Sequence, residues 1–252
     1  MATLPLVHPT ATSASPLPSP PATSATAATR LPSTVKTYRS SKQTHRQTAM
    51  VAQLLVATGI VLTLGITYVS MPGAALFPWH PTCMAVGLLA LMSYGISLFA
   101  PGASSLSYWD KVWRHFLCNI AAAAFVFAGF VAIFLNKDLR GKSHFVTWHG
   151  LIGLFVTILI VAQAAGSSIL LSPSLTQKLV GKSNYALVKR LHRQGAVFVY
   201  GASMGEVVLG YYSNFWNRNV SGLPWLAATA LTALMAALVF LQVFRVLSKR
   251  KD

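Results

Sequence analysis

Four of the seven histidines in this 252-residue chain stand in a pattern suited to chemistry. His80, His115, His149 and His192 follow one another at intervals of 35, 34 and 43 residues, each near the beginning of a long apolar run. Partners for them are scarce, since the only acids are Asp110, Asp138, Glu206 and Asp252. The two cysteines, Cys83 and Cys118, lie inside apolar runs. That excludes a disulfide framework and a thiolate zinc site, and makes them small core residues. Zinc normally takes four protein ligands, or three and a water. A b-type haem is held by two axial imidazoles and needs neither thiolate nor carboxylate. Filling both axial positions leaves no open place on the iron for oxygen or substrate, so the chemistry expected is electron transfer. Two such haems stacked across a bilayer would carry an electron from one face to the other.

The elements that must position these histidines are membrane helices. Hydrophobic types make up 54% of the chain and charged types 10%, whereas soluble domains carry about 25% charged residues. The mean hydropathy of +0.56 excludes an ordinary soluble globular protein. A helix crossing the hydrocarbon core needs about 20 residues. Six runs reach that length: Ala49–Met71, His80–Phe99, Val112–Leu135, Val146–Leu171, Leu187–Tyr212 and Leu223–Val246. Proline, glycine and polar clusters separate them, among them Pro72, Pro78, Pro101, Gly141, Pro173 and Pro224. The alternation of a membrane barrel is absent. The fold expected is an all-α membrane protein of six transmembrane helices, its second to fifth forming a central four-helix bundle that holds two haems. Residues 48–250 make up this domain. Residues 1–47 are rich in Ala, Ser, Thr and Pro and read as a disordered tail. Its acid-free composition also suits an organelle transit peptide, the lesser reading.

The net charge of +16 belongs to the edges of a membrane protein rather than to a nucleic-acid partner. Sixteen Lys and Arg residues fall in the first tail, the 2–3 and 4–5 connections and the C-terminal end. Four, Lys137, Arg140, Lys142 and Arg218, fall on the other side. Both termini are therefore expected in the cytoplasm, as an even number of spans requires. Consecutive spans run in opposite directions, so their starts alternate between faces. His80 and His149 then share the non-cytoplasmic face, and His115 and His192 the cytoplasmic face, giving one histidine pair near each. Gly87, Gly153 and Gly195 lie on the histidine faces of their helices, where they leave space for a porphyrin edge or, the stronger reading for any one of them, serve close helix packing; Met84 shares that face. Asn119, four residues after His115, is placed to hydrogen-bond a ligand or propionate.

The stretches Phe77-Pro-Trp-His80-Pro, Gly141-Lys-Ser-His-Phe-Val-Thr-Trp-His149-Gly and Lys189-Arg-Leu-His192 carry a likeness to a known family. With six helices and ligands on the middle four, the chain resembles the eukaryotic cytochrome b561 family, in particular its short domain-containing transmembrane reductases. The resemblance covers residues 48–250 and is weakest at Trp113-Arg-His115. It implies two b haems, one ligated by His80 and His149 and the other by His115 and His192, in agreement with the pairing reached from topology. It also implies reduction by cytoplasmic ascorbate and delivery to ferric chelates, a ferric reductase, with monodehydroascorbate as the alternative acceptor. By analogy it extends to a homodimer and to an endoplasmic reticulum or vesicle membrane. One departure stands out. Where the ascorbate-recycling branch carries an Arg- and Tyr-containing signature, this chain reads Ser97-Leu-Phe-Ala-Pro-Gly-Ala-Ser.

An ascorbate anion calls for positive charge at the cytoplasmic haem edge. Lys111, Arg114, Lys189 and Arg193 flank His115 and His192 and are the donor-site candidates. On the opposite face Lys142 and His144 precede the fourth run and are candidates for holding an anionic acceptor. Trp79 and Trp148 are placed as haem-edge contacts or as interfacial anchors. Glu206, 14 residues past His192, is an acid within a span and therefore a functional candidate. The alternative from another class is a small haem-free multispan transporter. Its polar site would lie near the bilayer midplane, whereas these histidines lie toward the helix ends. Nucleotide-binding glycine cradles and a Ser/His/Asp arrangement are absent.

Overall fold

The computed structural model describes residues 33–248, with side chains described for residues 43–242. The chain divides into two units, Met1–Arg39 and Ser40–Asp252. The first is described only from Ser33 onward, so most of the tail expected to be disordered lies outside the described residues. From Ser33 the chain is helical rather than irregular. The physical reason lies in the sequence, which has no Pro or Gly between Pro32 and Gly59 and is well supplied with Lys, Arg, Gln and Ala.

Helix α1 runs Ser33–Ser70 and stops where Met71 turns to a left-handed φ of 48° before Pro72. The second helix, α2, has three parts. It is α-wound at Trp79–Met84, π-wound at Ala85–Met92 and α-wound again at Ser93–Ser97, with helical dihedrals at both junctions. Helix α3 spans Tyr108–Leu139 and α4 spans Trp148–Leu170. A short helix α5, Pro173–Val180, and a 3-10 turn at Lys182–Asn184 lead into α6, Tyr185–Tyr211. Short α7, Asn214–Asn219, precedes α8, Gly222–Ser248. There is no strand among the described residues.

Local chemistry sets the boundaries that matter for the histidines. Ser107 caps α3, its hydroxyl accepting from Asp110 N and donating to the Asp110 carboxylate. Thr147 caps α4 by accepting from Gly150 N, which puts His149 in the first turn. Helix α3 ends with Lys142 N donating to Lys137 O and Gly141 N to Asp138 O. Gly141, at φ 60°, supplies the left-handed residue that this ending demands.

Where the sequence predicts six spans, four helices among the described residues are long and apolar enough to cross a membrane: Gln43–Ser70, Tyr108–Leu139, Trp148–Leu170 and Gly222–Gln242. The second expected span, α2, is divided by its π-wound centre into short pieces. The fifth, α6, is long enough, but Lys189, Arg190, Arg193 and Glu206 dilute its apolar character.

Helix α2 packs on α3, α3 on α4, α4 on α6, and α6 returns to the π-wound part of α2. These four helices therefore close a ring, and α8 packs on the outside of α6. Helix α1 meets the ring at the π segment, where Thr63 Oγ1 donates to Ala85 O at 3.1 Å. The interior is made by Leu88, Leu89, Val126, Ile160, Val199, Tyr200 and Met204. Leu54, Phe127, Phe155, Ile158 and Phe198 face outward, as a helix in hydrocarbon requires. Trp109, Trp113 and Trp148 are exposed near helix starts, the usual place of interfacial anchors.

Candidate functional site

The ring brings the four histidines together as two pairs. His80 of α2 and His149 of α4 have ring centroids 6.1 Å apart, with planes at 74°. His115 of α3 and His192 of α6 have centroids 6.4 Å apart, with planes at 83°. Each pair is made by two helices that start at the same end of an antiparallel ring.

Each of these imidazoles has a polar group of another element at its Nδ1 edge. His80 Nδ1 is 3.0 Å from Gly129 O on α3. His115 Nδ1 is 2.9 Å from Gly95 O on α2. A carbonyl only accepts, so both nitrogens carry the hydrogen and both Nε2 atoms keep a free lone pair. His149 Nδ1 meets Glu206 Oε1 of α6 at 2.5 Å. His192 Nδ1 lies 3.0 Å from the Gln163 side-chain amide on α4, which also donates to His192 O at 2.8 Å. With Nδ1 bound to a carbonyl, His80 and His115 keep Nε2 free for a ligand.

Glycines make these contacts possible. A Cβ on Gly129 would sit 3.1 Å from Cys83 Cβ and 3.2 Å from His80 O. One on Gly95 would sit 2.6 Å from Asn119 Nδ2. The space beside Gly153 is taken by the Glu206 carboxylate and that beside Gly195 by the Gln163 amide. Gly87 allows α2 to approach Ala122 and Val126 of α3. The sequence-based expectation that Gly87, Gly153 and Gly195 open space for a porphyrin edge is thus corrected. They admit the residues that hold the imidazoles, or the neighbouring helix itself. Asn119 donates to His115 O at 2.7 Å, bracing the start of α3.

A small cleft of about 40 Å³ lies between His115 and His192, lined also by Met92, Asn119, Gln163 and Val199. Lys111, Arg114, Lys189 and Arg193 are not among its lining residues. Lys111 is half-buried and the other three are exposed, and Lys189 Nζ stands 5.4 Å over the Tyr185 ring. At the other pair's end of α3, His144 Nε2 lies 3.0 Å from Asp138 Oδ1, and its ring stacks on Phe134 at 4.1 Å. Lys142 is exposed. His144 therefore has a negatively charged neighbour that sequence reasoning overlooked. Also overlooked were Gly95, Gly129 and Gln163, whose role depends on contacts between helices. Between the two pairs, Tyr200 and Ser93, both fully buried, share a hydrogen bond of 2.9 Å.

No group of three or more His, Cys, Asp or Glu suited to a metal ion occurs among the described residues. The arrangement is instead two facing imidazoles, twice. The ring centre of an imidazole lies about 1 Å behind a nitrogen that binds metal at about 2.0 Å, so two opposed rings on one iron have centroids about 6 Å apart. Both pairs fit that spacing.

Comparison with known proteins shows the family to which the chain is similar. The family model described as eukaryotic cytochrome b561 matches residues 79–218. A human protein named transmembrane reductase CYB561D2 is 29% identical over 200 residues, which cover 78% of this chain and 87% of that protein. A mouse protein named probable transmembrane reductase CYB561D1 is 27% identical over 84% of this chain and 91% of its own length. The human transmembrane ascorbate-dependent reductase CYB561 is 27% identical over 58% of this chain and 62% of that protein.

Proposed function

The chain belongs to the eukaryotic cytochrome b561 family, and on that premise we propose that it is a transmembrane oxidoreductase carrying electrons through two b-type haems. Four apolar helices and the family make it an integral membrane protein. The six-span arrangement, with α2 and α6 as the further spans and both termini cytoplasmic, is part of the same proposal. The observation that carries it is the double occurrence of opposed imidazoles 6.1 and 6.4 Å apart with their Nδ1 edges already engaged.

His80 and His149 are the proposed ligands of the non-cytoplasmic haem, and His115 and His192 those of the cytoplasmic one. When bound, each group supplies a reversible one-electron carrier. The residues of this chain do the rest. Gly129 and Gly95 fix the tautomers of His80 and His115, so that Nε2 is the ligating nitrogen. At His192 the Gln163 amide nitrogen meets both Nδ1 and the backbone O, so Gln163 braces the position of the ring without setting its tautomer. The buried side chains of the ring fill the space between the pairs.

Ascorbate is the proposed donor, supported by relatives named ascorbate-dependent reductases. Lys111, Arg114, Lys189 and Arg193 supply the positive field that draws the anion to the His115–His192 end. A ferric chelate is the proposed acceptor at the other end, near Lys142 and His144, with monodehydroascorbate as the second choice. The test is an absorbance spectrum of the purified protein made with ample haem. It should show reducible b-type haem at about two per chain. Changing His80 or His149 to Ala should remove one centre, and changing His115 or His192 the other. A colourless protein would favour the haem-free transporter.

A further inference from the structure

Three of the four imidazoles have a neutral neighbour at Nδ1: a backbone carbonyl, a second backbone carbonyl and a side-chain amide. The fourth does not. His149 Nδ1 faces Glu206 Oε1 at 2.5 Å. Glu206 is 7% exposed and is the only buried acid among the described residues. The close approach is not an aligned hydrogen bond: His149 Nδ1 and both Glu206 oxygens are buried without a hydrogen-bond partner among the described residues, which leaves each group as the other's nearest polar partner. The carboxylate reaches the ring because Gly153, one turn along α4 from His149, has no side chain. A Cβ there would lie 2.8 Å from Oε1. One turn beyond Glu206, Gly210 leaves room for the edge of the same ring, its Cβ position being 3.5 Å from His149 Cε1. Two helices are therefore shaped around one carboxylate–imidazole contact.

We propose that Glu206 is a positioning residue that receives the Nδ1 hydrogen of His149, fixes the ring with Nε2 toward the iron, and sets the two haem centres apart in potential. The inference rests on the haem-binding reading above and deepens it. A metal-bound imidazole that donates to a carboxylate becomes a more basic ligand. A more basic axial ligand favours the ferric state and lowers the reduction potential of its centre. Burial strengthens the effect, because the contact lies in a low-dielectric interior. The carbonyl and amide partners at the other three imidazoles bring no such charge. The asymmetry therefore falls on the His80–His149 centre alone.

The experiment is a redox titration of the purified holoprotein with optical and spin-resonance readouts, on the wild type, Glu206→Gln and Gly153→Ala. The centre concerned is identified as the one missing from a His149→Ala variant. Glu206→Gln keeps an acceptor oxygen and removes the charge. It should raise the potential of that centre so that the ferric-to-ferrous ratio at fixed poise falls about tenfold, about 59 mV for one electron. The other centre should stay put, and the spectrum should remain that of a bis-imidazole haem. Gly153→Ala keeps the acid but displaces its end, and should shift the same centre the same way. A merely packing role for Glu206 predicts full haem content with both potentials unchanged in both variants, and that result overturns the proposal. Should Glu206→Gln lose its haem, the Gly153→Ala potential decides by the same criterion. A wild type that binds no haem overturns the family-based reading as well, so the two failures are told apart.

Discussion

Hydrogen-bond partners are what turn a histidine in a membrane helix into a ligand with a defined free nitrogen. At His115 the partner is the Gly95 carbonyl, and Asn119 fills the space that Gly95 leaves. Gly95→Ala would push a methyl against Asn119 Nδ2 at 2.6 Å. Overpacking of this kind costs about 1–3 kcal/mol. The expected outcome is a lower melting temperature and loss of the His115–His192 centre before the other, followed by thermal denaturation with absorbance detection. Gln163→Leu should act on the same centre for a different reason. It removes the side chain that meets His192 Nδ1 and O and leaves half-buried polar groups unmatched, at about 1–3 kcal/mol or less. The His80–His149 centre should keep its haem content and potential. Equal damage to both centres would show that Gln163 serves packing of the whole ring.

Helix α2 is the element on which both pairs depend. Its first turn carries His80, and its last turns carry Ser93, which meets Tyr200, and Gly95, which holds His115. The π-wound segment Ala85–Met92 lies between them. Each residue in an α-helix turns the chain by about 100°, so the winding of this segment sets the angle between the two ends. Deleting Ala90 is expected to leave His80 in place and rotate Gly95 away from His115. Haem analysis of that variant should find the His80–His149 centre kept and the other lost. Loss of the His80–His149 centre alone would refute the argument. A milder test lies at Tyr200. Tyr200→Phe removes one buried hydrogen bond, at about 1 kcal/mol, and should lower the melting temperature slightly without changing haem content.

The whole molecule adds charge to this frame. With the proposed orientation, its basic residues crowd the His115–His192 end, and the rate of reduction by an anionic donor should fall as ionic strength rises, because salt screens exposed charge. Stopped-flow reduction by ascorbate at increasing salt measures this, and a salt-independent rate would remove Lys111, Arg114, Lys189 and Arg193 from the donor site. Thiol labelling of cysteines placed at Lys182 and Arg140 should find them on opposite faces.

The apolar runs, the punctuating prolines and glycines, and the positions of the histidines were legible without coordinates. Alternating direction alone decides which helix starts share a face, and so which imidazoles can meet. Partners were not legible, because Gly129, Gly95 and Gln163 lie 49, 20 and 29 residues from the rings they hold. Whether two such groups touch depends on the rotation of each helix about its axis and on how closely helices approach, which no periodicity records. The π winding of α2 was hidden for the same reason, since Ala85–Met92 reads as ordinary apolar helix. Glu206 was visible as an unusual acid. Only the packing of α6 against α4, over the missing side chain of Gly153, gave it a partner in His149.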